Sequence, residues 1–89
     1  MNFFVLWPED VRKQLSKMEK KIADRIINKV ESIRNSPFLF VIKIKNSDFY
    51  RLRVGDYRVI MSIDRGKMVI LVIEIGHRRN IYKKFALSK

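Results

Sequence analysis

The sequence predicts an α+β fold: an N-terminal strand, a helical hairpin, then an antiparallel β-meander closed by a short C-terminal helix or tail, with the helices on one face of the sheet. Three observations predict it. Apolar residues recur at helical spacing from Val11 to Ile33. From residue 38 the period becomes the alternation of strands. Between the two regimes stands Asn35-Ser36-Pro37, a helix stop, because the residue before proline is biased away from the helical region. Helices followed by a run of strands give an α+β arrangement, and 89 residues leave room for one domain, 1–89.

Each element follows from its residues. Asn2 to Leu6, apolar and aromatic, suits a short buried strand. Pro8 with Glu9 and Asp10 makes a helix start, proline at the first helical position and acids in the first turn. Val11, Leu15 and Met18 form one apolar stripe, and Ile22, Ala23, Ile26, Ile27, Val30 and Ile33 form a second after a break near Glu19-Lys20. The stretch 38–47 is a strand or an extended connection, in which Lys43 and Lys45 alternate with Ile42 and Ile44. Three apolar runs follow, separated by Gly55-Asp56 and by Asp64-Arg65-Gly66, which carry hairpin turn chemistry. The last run is apolar on both faces from Met68 to Ile73, which predicts the central strand. A short helix is expected around Ile81–Phe85.

Composition narrows the function classes. There is no cysteine, which removes disulfides, thiol nucleophiles and thiolate metal sites. One histidine and scattered acids offer no metal cluster, so neither a metal nor a cofactor is expected. The N-terminal apolar run is too short to span a membrane and lacks the features of a secretory signal, so the expected location is cytoplasmic. Twenty Lys and Arg against nine Asp and Glu give a net charge of +11. That excess points to a polyanionic partner, nucleic acid or an acidic protein.

Within "DFYRLRVGDYRV" the charge acquires a direction. Alternation sends Tyr50, Leu52 and Val54 one way and Arg51 and Arg53 the other. In the next strand Tyr57, Val59, Met61 and Ile63 oppose Arg58, Ile60 and Ser62. If the turn preserves sidedness, Arg51, Arg53 and Arg58 converge on the face that the helical hairpin leaves open. His77, Arg78 and Arg79 add charge near a strand end, and Tyr82 follows on the tail. Guanidinium forks bind phosphate bidentately and keep their charge. By spacing alone this is an anion-binding face; the plainer alternative is that Arg51 and Arg53 are solvated charges guarding an edge strand.

The joined pattern Y-R-L-R-x-G-x-Y-R, then G-H-R-R-x-x-Y, resembles the RelE/ParE toxin superfamily, particularly its RelE branch of ribosome-dependent messenger-RNA nucleases. The similarity extends over nearly the whole chain. Carried across by motif, the family's site falls on Arg51, Arg53, Arg58, Arg78 and Tyr82. The basic residues near it, Lys43, Lys45, His77 and Arg79, are expected to contact RNA. The resemblance implies a metal-independent endoribonuclease that cuts mRNA in the ribosomal A site by 2′-hydroxyl attack, leaving a 2′,3′-cyclic phosphate and a 5′-hydroxyl. It also implies two partners: the ribosome with its mRNA, and an antitoxin whose acidic helical segment wraps the toxin in a hetero-oligomer.

The basic pair on the first strand is often lysine in well-known nuclease members, whereas here it is Arg51 and Arg53. Arginine does not exchange its proton, so this pair is assigned to holding the phosphate. Proton transfer then falls to Tyr82, to His77 or to ribosomal RNA. Two alternatives keep the fold: a ParE-like toxin that inhibits DNA gyrase by binding, and a non-catalytic basic RNA-binding module.

Overall fold

The computed structural model describes residues 2–85. Its elements are β1 (Phe4–Leu6), α1 (Glu9–Ser16), α2 (Lys20–Ser32), β2 (Val41–Lys43), β3 (Tyr50–Val54), β4 (Tyr57–Asp64), β5 (Val69–His77) and α3 (Arg78–Lys84), with a 3₁₀ turn over Pro37–Leu39. The five strands form one sheet in the order β1-β5-β4-β3-β2. Strands β2 to β5 are the expected antiparallel meander. β1 joins beside β5 in parallel, which the intervening helices permit, so the sheet is mixed.

The helical hairpin covers one face. Val11 and Leu15 of α1 and Ala23, Ile26 and Val30 of α2 meet Leu52, Val54, Val59, Met61, Ile70, Val72 and Ile75 in the main core. Pro8 stands one position earlier than expected, at the cap, where its carbonyl accepts a hydrogen bond from the Arg12 N–H (2.9 Å). Ser36, ahead of Pro37, lies outside the helical region at φ −149°, ψ 63°, and α2 has ended by then. Between Val54 and Tyr57 the chain reverses through Gly55 at φ +59°, the left-handed conformation that a II′ hairpin asks of its first turn residue.

Three sequence expectations are corrected. The N-terminal run is an edge strand whose Phe4 and Leu6 stay exposed while Phe3 and Val5 pack inward. The centre of the sheet is β4, not β5. β5 is apolar on both sides because α1 packs on one side of it and α3 on the other, and that cover does not depend on its place in the sheet. A bulge between its pairings with Ile60 and Met61 lets both Val72 and Ile75 reach the main core and turns Ile73 to the other face. Finally, helices lie on one face only for α1 and α2. Ile81 of α3 joins Ile44 and Ile60 in a small second core on the opposite face.

The edge of β5 beyond β1 is closed by a side chain. The Gln14 amide of α1 accepts from the Ile75 N–H and donates to the Ile75 carbonyl, both at 3.2 Å, as a neighbouring strand would. No helix among the described residues is long and apolar enough to cross a membrane.

Candidate active site

Register decides which side chains share the second face. Cross-strand partners point the same way, so Ile42, Arg51, Ile60 and Glu74 form one row across the sheet. Arg53, Arg58 and Gly76 form the next. The hairpin keeps sidedness, and the three strand arginines stand together on the face away from α1 and α2.

α3 completes the site, and Gly76 seats it. A Cβ on Gly76 would stand 3.0 Å from Ile81 Cδ1, so the missing side chain is what lets Ile81 pack down on the sheet. His77 caps the helix: its Nδ1 accepts from the Arg79 N–H at 3.3 Å. The backbone N–H of Arg78 is held by the Asp56 carbonyl (2.8 Å). One residue past Ile81, Tyr82 then reaches the arginines.

The result is a cleft of about 210 Å³ lined by Phe40, Ile42, Arg51, Arg53, Arg58 and Tyr82. Arg58 is the anchor, buried at 7% exposure. Its Nη1 donates to the carbonyls of Gly55 (3.0 Å) and Tyr57 (2.9 Å), and its Nη2 donates to the Tyr82 hydroxyl (3.0 Å). Among the described residues these bonds occupy three of its five N–H donors, and no carboxylate pairs with it. A buried guanidinium without an acid is expensive to leave uncompensated, so the site favours a bound anion. Arg51 also approaches Tyr82, 6.0 Å from the ring centre.

These charges act on the phenol. The hydrogen bond from Arg58 holds the Tyr82 pKa below the ordinary tyrosine value, and the charges of Arg58, Arg51 and Arg78 lower it further against the opposing effect of burial. Arg78 lies four residues before Tyr82, hence on the same side of α3, and is exposed. The cleft can therefore bind a phosphate and holds a phenol more acidic than an ordinary tyrosine.

Arg51, Arg53, Arg58 and Tyr82 are thus brought together, with Arg78 beside them. The remaining sequence candidates are placed elsewhere. His77 is paired with Tyr57, on the helix side of the sheet, and its ring meets Tyr57 edge-on at 5.8 Å. Lys43 is paired with Tyr50, also on the helix side, and its Nζ donates to the Ser47 carbonyl at 2.7 Å. Lys45 is exposed in the following turn, and Arg79 is exposed on α3. Two lining residues had escaped sequence reasoning, Phe40 and Ile42. The signal was present in the alternation that separates Ile42 and Ile44 from Lys43 and Lys45, but which set faces the arginines is a matter of register.

A family model described as the ParE toxin of type II toxin–antitoxin systems matches residues 5–82. The archaeal RelE–RelB complex of Pyrococcus horikoshii contains a chain 30% identical to this one, at a TM-score of 0.75 over 88% of this chain and 97% of that one. The RelB–RelE complex of Methanococcus jannaschii is similar at 28% identity and TM-score 0.67, over 92% of this chain and 98% of that one. The RelBE2 complex of Mycobacterium tuberculosis shares the fold, with TM-score 0.77 at 17% identity over 88% and 100% of the two chains.

Proposed function

Because this chain belongs to the ParE toxin family of type II toxin–antitoxin systems, within the RelE branch of the wider superfamily, we propose that its cleft cuts mRNA held in the ribosomal A site. The observation that carries this reading is the bond from buried Arg58 to the Tyr82 hydroxyl inside a ring of arginines. It couples a phosphate-binding charge to a phenol of lowered pKa, the pair that a phosphodiester displacement needs.

In the proposed reaction the Tyr82 phenolate takes the proton of a ribose 2′-hydroxyl. The 2′ oxygen attacks the adjacent phosphorus and the bond to the 5′ oxygen breaks. The departing oxygen takes a proton from water, which leaves a 2′,3′-cyclic phosphate and a 5′-hydroxyl. Arg51 and Arg53 hold the phosphate, Arg58 fixes Tyr82 and faces the developing charge, and Arg78 adds field from α3. Guanidinium groups, rather than a metal ion, supply the charge. At about 210 Å³ the cleft is too small to hold a codon, so the ribosome does the positioning of the RNA.

The partner in the resting cell is a cognate antitoxin, as in the RelB–RelE complexes to which the chain is similar. An acidic helical segment is the complement that a net charge of +11 calls for. The family model's ParE description favours one other reading, inhibition of DNA gyrase by binding. Primer extension after induction separates the two. A-site cuts that disappear in Arg58→Ala and Arg78→Ala support the nuclease, and DNA damage with intact transcripts supports the gyrase reading.

A further inference from the structure

A second basic hollow lies outside the cleft. Lys21, Arg25 and Lys29 recur every fourth residue and form a row along the outer side of α2. Between this row and Arg53–Gly55 at the end of β3 runs an open groove of about 890 Å³. It exists because β2 pairs only with Tyr50–Leu52 and leaves the last residues of β3 without a neighbour on that side. Gly55 shapes its floor: Arg25 Nη1 lies 3.0 Å from where a Cβ would stand, so the guanidinium rests against the turn.

The groove and the cleft are joined by two residues. Arg53 lines both. Phe40 lines the cleft, and the Lys29 ammonium sits 5.3 Å from the centre of its ring. Among the described residues none of Lys21, Arg25, Lys29 and Arg53 takes part in an ion pair, whereas Asp24, the one carboxylate among the described residues lining the groove, is engaged by Lys20 at 3.3 Å.

We propose that this groove binds the sugar–phosphate backbone of single-stranded RNA continuous with the strand in the cleft. The inference rests on the nuclease reading of that cleft. Cations four residues apart on a helix are spaced about 6 Å along its axis, close to one nucleotide of an extended strand. Val54 is the sole aliphatic side chain among the described residues lining the groove, which leaves no apolar pocket for an amphipathic peptide. Phe40, half exposed at the junction, offers a ring on which a base can stack as the strand passes from one hollow to the other.

The test uses uncleavable 2′-O-methyl oligoribonucleotides of about four and about twelve nucleotides, a range that separates a single cleft from an extended track. Wild type should bind the longer one more tightly and with the steeper salt dependence. The triple variant Lys21→Gln/Arg25→Gln/Lys29→Gln should lose that advantage, flattening the slope of log K against log salt by about 2, three contacts at about 0.7 each. Binding of the short oligonucleotide should not change. Arg25→Gln alone, the mildest change, should flatten the slope by about 0.7, and the charge-conserving Lys21→Arg/Lys29→Arg should keep it. A triple variant that still prefers the longer RNA overturns the proposal. So does one that loses binding to a polyglutamate peptide while RNA binding stands, since the groove would then be a peptide site. The oligonucleotides cannot be cut, so this result is independent of cleavage on ribosomes; if wild type shows the length dependence yet cuts nothing, the nuclease reading alone fails.

Discussion

Arg53 and Arg58 face each other directly across the β3–β4 ladder, on the same side of the sheet. Like charges in opposed positions oppose pairing of the two strands. The strands pair nonetheless, with Arg58 pinned by two backbone carbonyls and the Tyr82 hydroxyl. Such a pair is at ease when an anion lies between its members.

That repulsion makes Arg53→Gln a trade between stability and activity. The free protein should gain about 0.2–1 kcal/mol, because one of two opposed charges is gone and the exposed position is otherwise undemanding. Cutting of mRNA on programmed ribosomes should fall about 100-fold or more, the scale for removing one donor to a developing oxyanion. Urea titration and single-turnover cleavage of the same preparation check both halves.

Tyr82→Phe keeps the ring and removes the proton carrier. A general base must be deprotonated to work, so wild-type cleavage should rise about tenfold per pH unit below the phenol pKa and then level off. The Arg58 hydrogen bond and the surrounding arginine charges hold that pKa below the usual 10.0, which brings the plateau down in pH. The Phe variant should cut about 10²- to 10⁴-fold more slowly, with no such rise. A pH series of single-turnover rates for both proteins reads the difference.

Gly76→Ala tests the seat of α3. The added methyl meets Ile81 at 3.0 Å from its Cδ1, so Ile81 must give by a few tenths of an ångström, and the expected outcome is a slight lift of α3 that carries Tyr82 away from Arg58. Cleavage should drop about 10- to 100-fold, since small misplacements of a reacting group are costly. Circular dichroism should show the rest of the fold unchanged, because α1, α2 and the main core lie on the other face.

Gln14→Leu removes the side chain that closes the β5 edge. The Ile75 N–H and carbonyl lose their partners in a largely buried setting, a cost of about 1–3 kcal/mol. Gln14 does not line the cleft, so the folded variant should cut at the wild-type rate. Thermal melting and cleavage below the transition measure the two effects.

From the residues alone came the two periods, the stop at Ser36-Pro37, the turn at Gly55 and the separation of Arg51, Arg53 and Arg58 from the apolar side of their strands. These are local properties, set by backbone preference and alternation along a single strand. The parallel docking of β1, the central place of β4 and the crossing of α3 to the second face depend on which strands meet, which no local pattern encodes. The same holds within the site. The resemblance left proton transfer to Tyr82, to His77 or to ribosomal RNA, and only the register, which pairs His77 with Tyr57 and brings Tyr82 to Arg58, sends one imidazole to the far side of the sheet and one phenol into the cleft.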